Sequence, residues 1–118
     1  MVRRRQQVTT RLNVEERKGL DELATEWGVS SGAILRRLIL FFSKGKISIL
    51  ELIRRTEDMD LSQERLYTMR VALSEQERET FLSAVEGWDF SISDILRRLL
   101  RALISGAIPE NDIWKIRE

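Results

Sequence analysis

The chain has 118 residues, 42% of them apolar and 33% charged, a balance that suits a folded globular protein rather than a disordered one. It has neither cysteine nor histidine, which excludes disulfide scaffolds, thiolate and imidazole metal sites, and Ser-His-Asp or Cys-His catalysis. The formal net charge of +1 hides a division: residues 1–47 carry ten Lys/Arg against five Asp/Glu, and residues 48–118 carry ten against fourteen. A basic first part can face a polyanion even when the whole chain is nearly neutral.

The chain opens with a basic arm over residues 1–6, including Arg3, Arg4 and Arg5. No apolar stretch follows that would make it a signal peptide, and no run approaches the ~20 apolar residues a membrane-spanning helix needs. A cytoplasmic location without membrane association is the expectation. Gln7-Val8-Thr9-Thr10-Arg11-Leu12 then alternates, with Val8, Thr10 and Leu12 on one side and Gln7, Thr9 and Arg11 on the other. Period two with one largely apolar face predicts a half-buried strand.

Asn13 and Glu16 have the spacing of a capping box, so a helix begins there. Leu20, Leu23, Ala24 and Trp27 share its inner face, and Gly28 ends it. The carboxylate pairs Glu15/Glu16 and Asp21/Glu22 fall on that helix and read as a solvated charged face rather than as a general acid and base. With the six glycines scattered and no phosphate loop among them, the chain is expected to be neither an enzyme nor a cofactor carrier. A second helix starts at Ser30 and buries Ile34, Leu35, Leu38, Ile39 and Phe42, with Gly45 as its stop. A short third helical piece follows Ser48. The polar segment 56–65 reads as a linker whose ten residues span ~33–36 Å when extended.

Beyond the linker the plan recurs at an offset of 61 positions, the separation of Trp27 from Trp88. Ile34-Leu35-Arg36-Arg37-Leu38 overlays Ile95-Leu96-Arg97-Arg98-Leu99, and Gly45 and Ile47 overlay Gly106 and Ile108, without a gap. The second strand is Thr68-Met69-Arg70-Val71-Ala72-Leu73. A Ser74/Glu77 capping box opens a helix carrying Phe81, Ala84, Val85 and Trp88. Ser91 opens another with Ile95, Leu96, Leu99, Leu100 and Leu103, and Pro109 opens a short last one. Repeats therefore occupy 7–55 and 66–118. A lone strand cannot satisfy its ladder, and each copy supplies the strand the other lacks. The fold class expected is mainly α, with a short two-stranded antiparallel β-ribbon.

A strand, a capped helix, the turn Gly28-Val29-Ser30 and a hydrophobic second helix, echoed by Ser91-Ile92-Ser93-Asp94-Ile95-Leu96-Arg97, resemble the ribbon-helix-helix superfamily of Arc- and MetJ-type repressors. The resemblance implies a tandem ribbon-helix-helix forming an intramolecular pseudo-dimer, a monomer that does the work of two chains. It implies that the ribbon enters the major groove of double-stranded DNA and addresses base edges with Gln7, Thr9, Arg11, Thr68, Arg70 and Ala72. The chemistry suits those positions, since Arg bonds guanine bidentately, Gln bonds adenine, and Thr offers a hydroxyl and a methyl; Ala72 has no hydrogen-bonding group. The same resemblance places DNA phosphates at the start of each second helix, at Ser30, Ser31 and Gly32 and at Ser91, Ile92 and Ser93. Arg3, Arg4 and Arg5 are either a phosphate-touching arm or a solvated tail. Arg36-Arg37 and Arg97-Arg98 read as helix-surface charges paired with nearby Glu, and Trp27 and Trp88 as core.

Gln-x-Thr-x-Arg on one strand and Thr-x-Arg-x-Ala on the other imply reading of a non-palindromic site with a direction, or of direct repeats by several molecules assembled on DNA. In architecture the chain is similar to the TraY-like relaxosome accessory proteins of conjugative plasmids, which implies action at an origin of transfer beside a relaxase or other transfer proteins. A transcriptional repressor or autoregulator using the same face is the alternative. A protein-binding, antitoxin-like module is a third, disfavoured by the shortness of the tail from Pro109 to Glu118.

Overall fold

The first alternating segment forms strand β1 (Gln6–Leu12), with Val8, Thr10 and Leu12 buried and Gln7, Thr9 and Arg11 exposed. The structure, a computed structural model, describes residues 6–59 and 63–116. After β1 come helices α1 (Val14–Trp27), α2 (Ser31–Ser43) and α3 (Ile49–Thr56). Strand β2 (Tyr67–Leu73) follows, then α4 (Glu75–Val85), α5 (Ile92–Ser105) and α6 (Glu110–Trp114). The described residues are thus mainly helical, with six helices and one small two-stranded antiparallel sheet.

The helix starts follow from their first residues. Asn13 accepts a 2.8 Å hydrogen bond from the Glu16 amide while the Glu16 carboxylate accepts one of 2.8 Å from the Asn13 amide. Ser74 and Glu77 make the same reciprocal pair at 3.1 and 2.9 Å. Ser30, Ser48 and Ser91 each accept the amide three residues on, so α2, α3 and α5 all open on a serine cap. Pro109 is itself the N-cap of α6. The linker begins one residue later than its composition implies, because Thr56 ends α3, is buried, and donates its hydroxyl to the Leu52 carbonyl at 2.7 Å.

The two repeats are packed across one another. Helix α2 lies against β2 and α4, and α5 against β1 and α1; α3 rests on α5 and α6 on α2. Each second helix therefore floors the other copy's strand and third helix. Ile34, Leu35, Leu38, Ile39, Ile95, Leu96, Leu99 and Leu100 are all fully enclosed, and each contributes about 1.5–3 kcal/mol of burial. Phe42 of α2 meets Phe81 of α4 edge to face at 5.8 Å.

Two expectations about packing are corrected. Trp27 is half-buried and meets Trp114 of α6 edge to face at 5.8 Å, but Trp88 is 43% exposed and is not core. Helix α1 runs through Trp27 before Gly28 ends it, whereas α4 stops at Val85 and Gly87, at φ 83°, precedes Trp88. The second tryptophan thus lies past the helix that would have aimed it inward. Glu16 and Arg97 are not surface charges either; both are fully buried, because α5 is covered by the other repeat on the side where Arg97 projects.

Candidate nucleic-acid interface

The register of the ribbon follows from the repeat. Thr9 and Arg70 occupy equivalent positions, 61 apart, and they pair directly. Gln7 then pairs with Ala72 and Arg11 with Thr68, which are mirror images about that central pair. Directly opposed residues share a face, so all six proposed base-reading residues lie on the outer side of one ribbon. Gln7, Thr9, Arg11, Thr68 and Arg70 are exposed, and Ala72 is half-buried. On the inner side Val8 meets Val71 and Thr10 meets Met69, fixing which way the ribbon faces.

The two arginines of that face differ. Arg70, at the centre, has no hydrogen-bond or ion-pair partner among the described residues. Arg11, at one end, donates from Nη2 to the Arg65 carbonyl at 3.0 Å, and its amide donates to Ser93 Oγ at 3.3 Å. Ser93 Oγ also shares a 2.9 Å hydrogen bond with Thr10 Oγ1, joining α5 to β1. Arg65 reaches Asp94 at 3.2 Å. Beside the same end, the Arg17 guanidinium lies 5.7 Å over the Tyr67 ring and pairs with Asp21 at 3.1 Å. Arg65, Arg17 and Tyr67 were not singled out from the sequence, although Arg4 at the repeat position equivalent to Arg65 offered a signal.

The starts of α2 and α5 are also unequal. Ser30 spends its oxygen on the Ala33 amide at 3.1 Å, leaving the first amides of α2, at Ser31 and Gly32, facing a helix start with no acidic residue in its first turn. The Ser31 hydroxyl points to Asp21 at 3.3 Å. In α5, Ser91 caps Asp94 at 3.0 Å, Ile92 packs against the core, and Ser93 is taken up by β1. Asp94 places a carboxylate in that first turn and offsets the positive end of the helix dipole. Arg3, Arg4 and Arg5 lie outside the described residues.

The doubled arginines support this platform rather than decorate it. Glu16 Oε1 accepts from Arg97 Nε at 3.0 Å and Glu16 Oε2 from Arg101 Nε at 3.0 Å, tying α1 to α5. The equivalent pair, Glu77 with Arg36, ties α4 to α2. Burial is the largest influence on Glu77 and pushes its pKa up, but the Ser74 amide and the Arg36 guanidinium outweigh it and hold the carboxyl below its ordinary value of 4.5. Arg37 donates to the Ile113 and Ile116 carbonyls at 2.9 and 2.7 Å, and Arg98 to Thr56 Oγ1 at 2.8 Å, so each fastens the end of the other copy's short helix. The expected pairing with Glu is present for Arg36 and Arg97, but the Arg36 pair is half-shielded and the Arg97 pair is buried, so neither is a solvated surface charge.

Among the described residues, no three His, Cys, Asp or Glu gather as a metal would require, and no helix is long and apolar enough to cross a membrane. No protein-family model, curated protein or solved structure matches the chain.

Proposed function

We propose that the chain is a tandem ribbon-helix-helix protein that binds double-stranded DNA as an intramolecular pseudo-dimer, laying β1 and β2 in the major groove. The observation that carries the proposal is the direct pairing of Thr9 with Arg70, which puts Gln7, Thr9, Arg11, Thr68, Arg70 and Ala72 on one outer face. Two strands about 4.8 Å apart fit a groove ~12 Å wide, and the side chains on that face are those that distinguish base edges. Because the two ends of the ribbon carry different residues, the site read is non-palindromic. The architecture fits a relaxosome accessory role at an origin of transfer, in the cytoplasm and beside a relaxase, with transcriptional repression through the same face as the alternative.

A gel-shift titration against randomised duplexes at several salt concentrations tests the reading. Affinity should fall steeply with salt, as phosphate contacts release counterions. Arg70→Ala should cost about 1–3 kcal/mol and relax the preference at one base pair. Binding that ignores both salt and sequence would refute the proposal.

A further inference from the structure

We propose that Arg65 is a positioning residue that makes the Arg11 end of the ribbon the more discriminating one, an inference that rests on the DNA-reading role above. Five contacts converge there. The Arg65 guanidinium is held on Asp94 Oδ1 at 3.2 Å. Asp94 is fixed by its own amide, which donates to Ser91 Oγ at 3.0 Å. With its side chain so clamped, Arg65 presents its carbonyl to Arg11 Nη2 at 3.0 Å. Ser93 holds the strand from beneath through Thr10 Oγ1 and the Arg11 amide, at 2.9 and 3.3 Å.

The repeat places the side chains of this relay on one copy's end and not at the equivalent positions of the other. Subtracting 61 from Arg65, Asp94 and Ser93 lands on Arg4, Ala33 and Gly32, and adding 61 to Arg11 and Thr10 lands on Ala72 and Val71. The positions equivalent to Asp94, Ser93, Thr10 and Arg11 accordingly carry no carboxylate, no hydroxyl and no strand guanidinium to make the same connections. At the far end Gln7 stands opposite Ala72.

The relay uses one donor edge of Arg11 and leaves the rest of the guanidinium facing outward. An exposed arginine otherwise samples many rotamers, and ordering a long side chain on binding opposes affinity. Holding Arg11 beforehand lowers that cost for the base it meets in good geometry and does nothing for a base it meets badly. The gain is therefore in discrimination at one base pair. Arg70, which has no such support among the described residues, is ordered only on binding.

The test compares the full chain with Arg65→Ala, Arg65→Lys and Asp94→Asn by competition binding, using duplexes substituted one base pair at a time within the preferred site. Preference at the base pair assigned by Arg11→Ala should fall roughly threefold to tenfold in Arg65→Ala and Asp94→Asn. Preference at the base pair assigned by Arg70→Ala should stay unchanged. Arg65→Lys, which keeps the charge and the reach to Asp94, should recover most of the loss. Side-chain nitrogen relaxation in the free protein should show the Arg11 guanidinium loosened in Arg65→Ala. A uniform loss of affinity with a shallower salt dependence and unaltered preference would make Arg65 a phosphate contact and overturn the proposal. Sequence-indifferent binding by the unsubstituted chain would instead refute the DNA-reading role itself.

Discussion

Replacing Arg97 by Met removes the positive partner of a carboxylate that has no access to water. Glu16 and Arg97 are both at 0% exposure, and Arg97 approaches Glu16 through Nε and Nη2 at 3.0 Å. Losing one member of a buried pair costs about 3–5 kcal/mol, because the other is left as an uncompensated charge. Arg101 remains on Glu16 Oε2 at 3.0 Å, so the lower end, about 3 kcal/mol, is expected. The equivalent pair is an internal control: Arg36 and Glu77 retain 32% and 18% exposure, and Arg36→Met should cost about 1 kcal/mol or less. In urea titrations followed by circular dichroism, a slope of about 1–2 kcal/mol per M turns 3 kcal/mol into a midpoint shift of ~1.5–3 M. The double variant Glu16→Leu/Arg97→Met removes both fully buried charges and leaves Arg101 on Glu15 at 3.9 Å; it should regain part of the loss, short of about 1 kcal/mol for the capping box and of the 3.0 Å Glu16–Arg101 contact. Equal costs for Arg97→Met and Arg36→Met, or a double variant as unstable as the two singles added, would refute the reasoning.

Three further expectations concern stability. Glu77 has a folded pKa below 4.5, so its contribution is complete above the unfolded pKa and is lost as pH falls through the folded one; Glu77→Gln should flatten the acid limb of a denaturation series run between about pH 5 and 3. A Cβ at Gly19 of α1 would lie 2.6 Å from Ile104 Cδ1, the far end of a side chain that is 40% exposed and free to swing. Gly19→Ala should therefore raise stability by up to ~1 kcal/mol in a thermal melt through helix propensity, and a fall would mean that α1 and α5 are too close to yield. Trp27→Ala should cost about 2–4 kcal/mol and Trp88→Ala under ~1 kcal/mol, and their emission maxima should differ in the same sense.

Local signals carried most of the fold. Period two in Thr9-Thr10-Arg11-Leu12 and in Arg70-Val71-Ala72-Leu73 marked both strands and the side each residue takes, and the capping boxes at Asn13 and Ser74 marked where the helices begin. The outer face of the ribbon was legible for the same reason, as parity along a strand needs no tertiary knowledge. What was not legible depended on which copy covers which. Arg97 is chemically a surface residue, and only the crossing of α1 over α5 encloses it. Its partner was hidden because Glu16 already had an explanation as a cap. The paired recurrence of Glu16 with Glu77 and of Arg36 with Arg97 was nonetheless visible and implied an interaction made twice. Trp88 was misplaced because equivalence in the alignment outweighed Gly87 directly before it. The Arg65 relay lies in a segment read as linker, where neither periodicity nor capping speaks.

The crossing of the repeats also sets a timetable for synthesis. Strand β1 cannot close its ladder until β2, 61 residues later, has been made, which at ~5–20 residues per second takes ~3–12 s. Throughout that interval the apolar side of α2 and the open edge of β1 are presented to whatever is nearby. A β1 from a neighbouring nascent chain would offer a strand in matching register, since Thr9 and Arg70 are equivalent positions that pair directly. Fusion of the copies thus competes with exchange between chains, and slow decoding of the linker would favour exchange.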